Sequence, residues 1–378
     1  MEQIVKKFLH QNWWLFISML LLSAAGIAFI RSAQLYSDIP LLHDAWINQT
    51  RWFCIGLVVY LILIQIDYSL YIKLAIPIYV VGVLMLTLTF VPGFGLDVNH
   101  SKSWVKIPGI PPFQPVEITK ISTIIMLAAF LGRTRLEVRH IKYFILAGII
   151  LGVPMLLILK QPDLGSALVF VPIFLSIAFV AGIRKSFLIL LLACGMAGSV
   201  AVYNDMVPGV KLKKYQKERL ISFLEPEKYR KTSGYMLIQM RVAIGTGGIW
   251  GKGYTQSTQT RAEYIPKAVA HSDAIFAVIG EEVGFLGCTV ILLVFAGILM
   301  SGTRIALLAR DTYGRLLCAG IIAMLFAHLY ENVGMTLGVM PITGIPLPFI
   351  SNGGSFMVIS MAAVAILQSV WIHRRNYS

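Results

Sequence analysis

Apolar residues in this chain run in long stretches broken by short polar connections, from Trp13 to Trp371, with no sizeable polar domain between them. A helix needs about 20 predominantly apolar residues to cross the hydrocarbon of a bilayer. On that measure the pattern predicts ten spans, at 13–35, 50–66, 73–91, 116–132, 143–159, 165–183, 186–204, 274–300, 315–338 and 353–371. The expected fold is therefore all-α: a single polytopic membrane domain over 1–378, with a large outer loop, 205–272, between helices 7 and 8. The apolar region of a signal peptide is about 7–15 residues. The stretch after Lys6 and Lys7 is longer, so it reads as a retained first helix.

Composition agrees with this class. Hydrophobic residues make up 57% of the chain and charged residues 13%, against about 25% charged in a soluble domain. Lys and Arg near helix ends set the orientation, because positive charge collects on the cytoplasmic side. With the N terminus inside, inner segments hold fourteen such residues, among them Arg133, Arg135, Arg139, Arg374 and Arg375, and short outer loops hold five. Both termini are thus expected in the cytoplasm. The 205–272 loop carries twelve more on the outside, which its length permits. Its charge fits a solvated surface, anionic membrane lipid, or a cradle for a phosphorylated substrate.

The unusual residues gather on the outer side. They lie in 92–120, in Lys160–Gly165, in the basic loop, and in Met340–Ser355. Asp273 stands out first, as a lone carboxylate where the basic loop re-enters an apolar helix; an ionisable group at such a place is costly and marks a functional site by default. Glu117 and Lys120 lie three apart and share a helix face, either as a capping ion pair or as the lining of a polar cavity with Asp163 and Asp273. Asp163, after Pro162 and before Leu164-Gly165, suits a helix N-cap or a substrate contact. Pro341–Pro348 cannot form a regular helix and predicts a re-entrant loop, since broken backbone at membrane depth survives only where protein or water covers it.

Other chemistry is excluded. Gly245–Gly253 fails the dinucleotide fingerprint, with Trp250 at the third glycine, and fails the Walker pattern at Thr246 and Gly253. It reads as a turn, or as backbone able to approach a pyrophosphate. Cys54, Cys194, Cys288 and Cys318 lie far apart in apolar runs, and the seven histidines form no metal pattern. No nucleotide, zinc or nucleic acid is expected.

Five strings carry a resemblance: FQPVEITK (113–120), QPDLG (161–165), VAIGTGGIWGKG (242–253), HSDAIFAVIGEEVGFLG (271–287) and GIPLPFISNGGS (344–355). In these the chain resembles the SEDS (shape, elongation, division and sporulation) family, nearest its RodA branch. The resemblance implies a peptidoglycan glycosyltransferase that polymerises lipid II outside the bacterial cytoplasmic membrane, partnered by a class B penicillin-binding protein. It places the family's essential acid on Asp273 and its conserved Glu and Lys on Glu117 and Lys120. Three departures stand out: Lys267 for the family's Glu with two extra residues before His271, Ser103 for the Arg preceding Trp104, and Asn352 for Tyr after Ser351.

The implied reaction inverts the anomeric carbon. A carboxylate suits the base that takes the acceptor proton, and Asp273 is assigned that role or that of a ligand to Mg²⁺ or Mn²⁺. Lys120, Arg241 and Lys252 are candidates to neutralise the leaving pyrophosphate, with Asp163, His271, Ser351 and Asn352 as further substrate contacts. A lipid flippase or a non-catalytic scaffold for wall assembly is the rival expectation.

Overall fold

The structure, a computed structural model, describes residues 2–35, 44–98, 101–134, 140–204, 206, 214–232 and 234–374. Arg135, Arg139 and Arg375 of the charge count, and the loop boundary Asp205, lie outside them. Ten apolar helices appear where the hydropathy places them: α1 (Trp13–Gln34), α2 (Ala45–Leu63), α3 (Ala75–Leu88), α4 (Pro115–Thr134), α5 (Ile141–Lys160), α6 (Leu164–Ala181), α7 (Lys185–Tyr203), α8 (Ile275–Leu307), α9 (Thr312–Leu337) and α10 (Gly354–Ile372). Among the described residues, nine helices are long and apolar enough to cross a membrane. The tenth, α3, has 14 residues and follows the short helix Ser69–Lys73 across a break at Leu74.

Local chemistry sets the ends. Asn12 caps α1 by accepting from the Leu15 amide at 3.2 Å, and Asp311 caps α9 through the Gly314 amide at 2.7 Å. Gly182 and Gly338 close α6 and α9 in the left-handed conformation, which glycine adopts without a Cβ penalty. Helices α4, α9 and α10 form the interior, with 78%, 72% and 78% of their apolar windows buried, whereas only 6% of α7 is buried. Helix α9 packs on α4, α6 and α8, α10 packs on α2, and α8 packs on α1. The all-α helices facing hydrocarbon keep large apolar side chains exposed there, as Leu190 and Met196 of α7 do.

Two features depart from the expectation of an all-α domain with a large loop. Residues ahead of α4 form a small antiparallel sheet of β1 (Gly95–Val98), β2 (Ser101–Ile107) and β3 (Ile110–Phe113), with Gly95 opposite Val105 and Val105 opposite Phe113. Gly109, at φ 80°, turns β2 into β3. The described part of the 205–272 segment also differs from a plain loop, since it contains helices. Within it the helix Tyr235–Gly247 packs against both α8 and α9, burying Leu237, Met240 and Ala243.

The glycine run after that helix has a structural use. Helix α8 is broken at Gly284, where φ is 64° and ψ −164°. The run crosses this break and bonds to it: the amides of Lys252 and Gly253 donate to Glu281 O and Glu282 O, each at 2.9 Å, while those of Phe285 and Leu286 donate to Gly248 O and Ile249 O at 2.9 and 3.1 Å. The approach is too close for side chains. A Cβ on Gly251 would lie 2.2 Å from Glu282 O, and one on Gly247 would lie 2.0 Å from Gly280 O. These amides are committed to α8, so the run is neither a flexible turn nor an open phosphate cradle at Lys252 and Gly253.

Gly251→Ala therefore faces both a backbone clash and a φ of 80°, and is expected to cost about 2 kcal/mol or more. Thermal unfolding in detergent measures it; an unchanged midpoint would show that the crossing relaxes freely.

Candidate active site

Asp273 sits at the entrance of α8, one residue before its cap at Ala274. Its position is fixed by the segment between α9 and α10. Asn332 of α9 donates its Nδ2 both to the Asp273 carbonyl at 3.1 Å and to the Ile345 carbonyl at 2.8 Å. Ser351 donates to the Ser272 carbonyl at 2.7 Å and accepts from the Leu347 amide at 2.8 Å. The Asn352 amide donates to the His271 carbonyl at 2.9 Å. Gln49 of α2 braces the same turn, donating to Ser351 O and accepting from the Gly353 amide, each at 3.1 Å. As predicted, residues 341–347 form no helix, and Ile345, Leu347, Phe349 and Ile350 bury the segment against protein.

The carboxylate itself faces Gly344, where even a Cβ would come within 3.4 Å of Oδ2. Asp273 keeps a window to solvent, yet protein encloses most of it. Burial pushes its carboxyl up to about 6, while a bond from Ser272 and the charge of Arg219 pull the other way. Arg219 lies in the helix Lys214–Leu224 of the basic segment. His271 is buried and held below the usual imidazole range by that burial. Its Nδ1 lies 2.9 Å from Lys267 O, which requires the proton on Nδ1.

A second polar group lies inside the helices. Lys120 has no exposed surface and its Nζ contacts Glu117 Oε1 and His328 Nε2, both at 2.8 Å. The ammonium has only donors, so Nε2 accepts and His328 is neutral with its proton on Nδ1. Two of the three N–H bonds of Lys120 are accounted for by these contacts. Asp163 caps α6, accepting from the Ser166 amide at 3.0 Å and hydroxyl at 2.7 Å, and it also accepts from Gln114 Nε2 at 3.3 Å. Asp163 is near enough to Glu117 and Glu331 for electrostatic coupling, and Lys120 couples to Glu331. A Cβ on Gly165 would lie 2.8 Å from Thr343 O. The start of α6 and the segment holding Asp273 are therefore in direct contact.

Lys252 and Arg241 are engaged elsewhere. Lys252 Nζ pairs with Glu281 Oε1 at 2.6 Å, and Glu281 also accepts from the Ser257 and Thr258 hydroxyls and the Thr258 and Gln259 amides. Arg241 Nη2 donates to Gly338 O at 3.0 Å, placing its cation on the C-terminal end of α9, where helix carbonyls attract positive charge. Sequence reading passed over His328 and Glu331, although ionisable groups within a predicted span were signal enough. It also passed over Arg219, Gln49 and Asn332, whose partners lie far away in sequence.

The chain has known relatives. A family described as FtsW, RodA and SpoVE, cell cycle protein, matches residues 12–376. The chain belongs to the SEDS family. Over 364 residues it is 34% identical to a Trichlorobacter lovleyi protein named probable peptidoglycan glycosyltransferase FtsW, covering 94% of this chain and 92% of that one. Over 324 residues it is 33% identical to the Escherichia coli peptidoglycan glycosyltransferase MrdB, covering 85% and 84%. Among solved structures, it resembles a chain from work described as structural coordination of polymerization and crosslinking by a peptidoglycan synthase complex, with a TM-score of 0.81, 28% identity, and coverage of 97% and 99%. It also resembles the rod shape determining protein RodA of Thermus thermophilus, with a TM-score of 0.69, 25% identity, and coverage of 97% and 98%. Like other SEDS proteins, this chain is a multi-pass protein of the cytoplasmic membrane.

Among the described residues, no three His, Cys, Asp or Glu come together as a metal site. A lone carboxylate such as Asp273 suits a magnesium ion that keeps its waters and phosphate oxygens, rather than one caged by protein.

The charge of Arg219 favours the ionised form of Asp273. Arg219→Gln is expected to raise the carboxyl further above about 6, read by ¹³C carboxyl titration. An unchanged titration would remove Arg219 from the site.

Proposed function

We propose that this chain is a peptidoglycan glycosyltransferase that polymerises lipid II at the outer face of the cytoplasmic membrane during cell elongation. The observation that carries the reading is the Asp273 carboxylate, held at the mouth of α8 by Asn332 and Ser351 and raised toward neutral pH by burial. Its relatives' names, peptidoglycan glycosyltransferase, supply the reaction class. The QPDLG string and the stretch Gly251–Gln259 favour the RodA branch and hence elongation.

On this reading Asp273 is the general base. It takes the proton of the acceptor sugar hydroxyl while that oxygen bonds to the donor's anomeric carbon. The bond from that carbon to pyrophosphate breaks, and pyrophosphate leaves with the electron pair. A base works best with a pKa close to the working pH, which the shift of Asp273 provides. Pyrophosphate leaves readily once its charge is neutralised, so the site needs cations more than a proton donor. Arg219 and Lys120 supply them, while Arg241 and Lys252 hold the surrounding loop in place. His271 and Asn352 shape the approach to Asp273, and Asp163 the opposite wall. Were a divalent cation, Mg²⁺ or Mn²⁺, bound, Asp273 would be the residue to hold it, in place of its role as base, and the cation would supply further neutralisation.

The termini are cytoplasmic on this reading, and the sheet, the basic segment and the 340–355 segment face outward. A class B penicillin-binding protein is the partner that crosslinks the product; support comes from similarity to a chain of a peptidoglycan synthase complex.

Asp273→Asn is expected to lower the rate of glycan polymerisation from labelled lipid II by a factor of about 10² or more, without changing thermal stability greatly. Polymer at near the wild-type rate would refute the base, and leaflet exchange in liposomes without polymer would indicate a flippase. The pH profile has a defined sign. The base acts ionised, so the rate should fall about tenfold per pH unit below a limb near pH 6 and level off above it. In Arg219→Gln the limb should move to higher pH.

A further inference from the structure

Two buried acceptor atoms on α9 have no hydrogen-bond partner among the described residues. Glu331 is 4% exposed and its Oε2 accepts no hydrogen bond; Asn332 is fully buried and its Oδ1 accepts none. Buried polar atoms are nearly always bonded, and an orphan of this kind calls for an occupant. The orientation of Asn332 is not ambiguous, because its amide nitrogen must face the two carbonyls of Asp273 and Ile345 that it bonds. Its oxygen is therefore the free end. Glu331 has Thr343 within hydrogen-bonding reach, one residue from Gly344, which faces Asp273 Oδ2. Both orphans thus border the same short segment as the Asp273 carboxylate, and both are acceptors.

We infer that Glu331 and Asn332 form a subsite for the hydrogen-bond donors of a sugar, a hydroxyl or an acetamido N–H, beside Asp273. This rests on the proposed function for the identity of the ligand. The two acceptor atoms left without a hydrogen bond, Glu331 Oε2 and Asn332 Oδ1, select a ligand rich in O–H and N–H groups, and they discriminate against phosphate oxygens, which only accept. Glu331 is also an acid in a membrane helix, where an ionisable group is costly and faces a partner or a polar cavity. Asn332 already fixes the Asp273 backbone, so Glu331 is the residue whose role can be tested cleanly.

The probe is a polyprenyl-pyrophosphate-linked N-acetylated disaccharide, with binding to the detergent-solubilised full chain measured by calorimetry and polymerisation measured in parallel. Loss of the hydrogen bond to Glu331 should weaken binding about tenfold in Glu331→Val. KM should rise with Kd, and kcat should change less than about twofold. Glu331→Gln, which keeps an acceptor oxygen, should stay within about threefold of wild type. Glu331→Met preserves the volume and serves if the valine variant does not fold. Unchanged Kd in the valine or methionine variant, with a higher melting temperature, would overturn the subsite and leave a buried acid bonded to water alone. Wild-type protein that binds the probe but makes no polymer would refute the polymerase reading while the Kd comparison still decides the subsite. Wild-type protein that does not bind the probe would overturn both.

Discussion

A chain that leaves the helix within a membrane must find partners for every amide and carbonyl it frees, since hydrocarbon offers none. The rest of this structure follows from how that requirement is met at 341–353. The segment is held by three polar side chains from separate helices or turns, Asn332, Ser351 and Gln49, each bonded to backbone at two points. Because two of these side chains also hold the backbone at Ser272 and Asp273, satisfying the loop and placing the carboxylate are one event. The same requirement explains the break in α8. The carbonyls and amides released around Gly284 are taken up by the glycine run of the basic segment, and only residues without a Cβ can approach closely enough.

Two networks built around buried acids, those of Glu281 and Glu117, do different work. Glu281 collects Lys252 and the first amides of the short helix Thr258–Arg261, so it binds one stretch of chain to another and is saturated with donors. Glu117, Lys120 and His328 are fewer, and their network retains donor capacity on Lys120. A saturated network confers rigidity, whereas an incompletely satisfied one is costly in a protein interior unless something else completes it. That contrast separates scaffold from site more sharply than burial does, since members of both groups are nearly or fully buried.

The helices were legible because hydropathy is local: each span can be read without knowing its neighbours. Asp273 was legible as a charge against an apolar background, and Glu117 with Lys120 through their spacing of three. The sheet was missed although Ser101–Ile107 alternates, with Ser103 and Val105 on one buried face; the apolar bulk of the chain directed attention to helices. Gln49, Asn332 and Arg219 were missed for a different reason. Each draws its meaning from a partner brought near only by folding, and nothing adjacent to it in sequence marks that partner. The basic residues misled in the opposite way, since a Lys or Arg on a loop looks available until its carbonyl or carboxylate is seen.

Gln49 and Ser351 are separated by 302 positions. A membrane protein is threaded into the bilayer from its first helix onward, so Gln49 enters long before the turn it will hold has been synthesised. Every ionisable side chain assigned to the reaction, from Glu117 to Asp273, is present in a nascent chain that ends at α9. Yet that chain lacks the turn that sets Asp273, and the site closes only with the arrival of the final helix. Biosynthesis thus carries its own safeguard: a ribosome-bound fragment holds the reactive groups without the arrangement that lets them act.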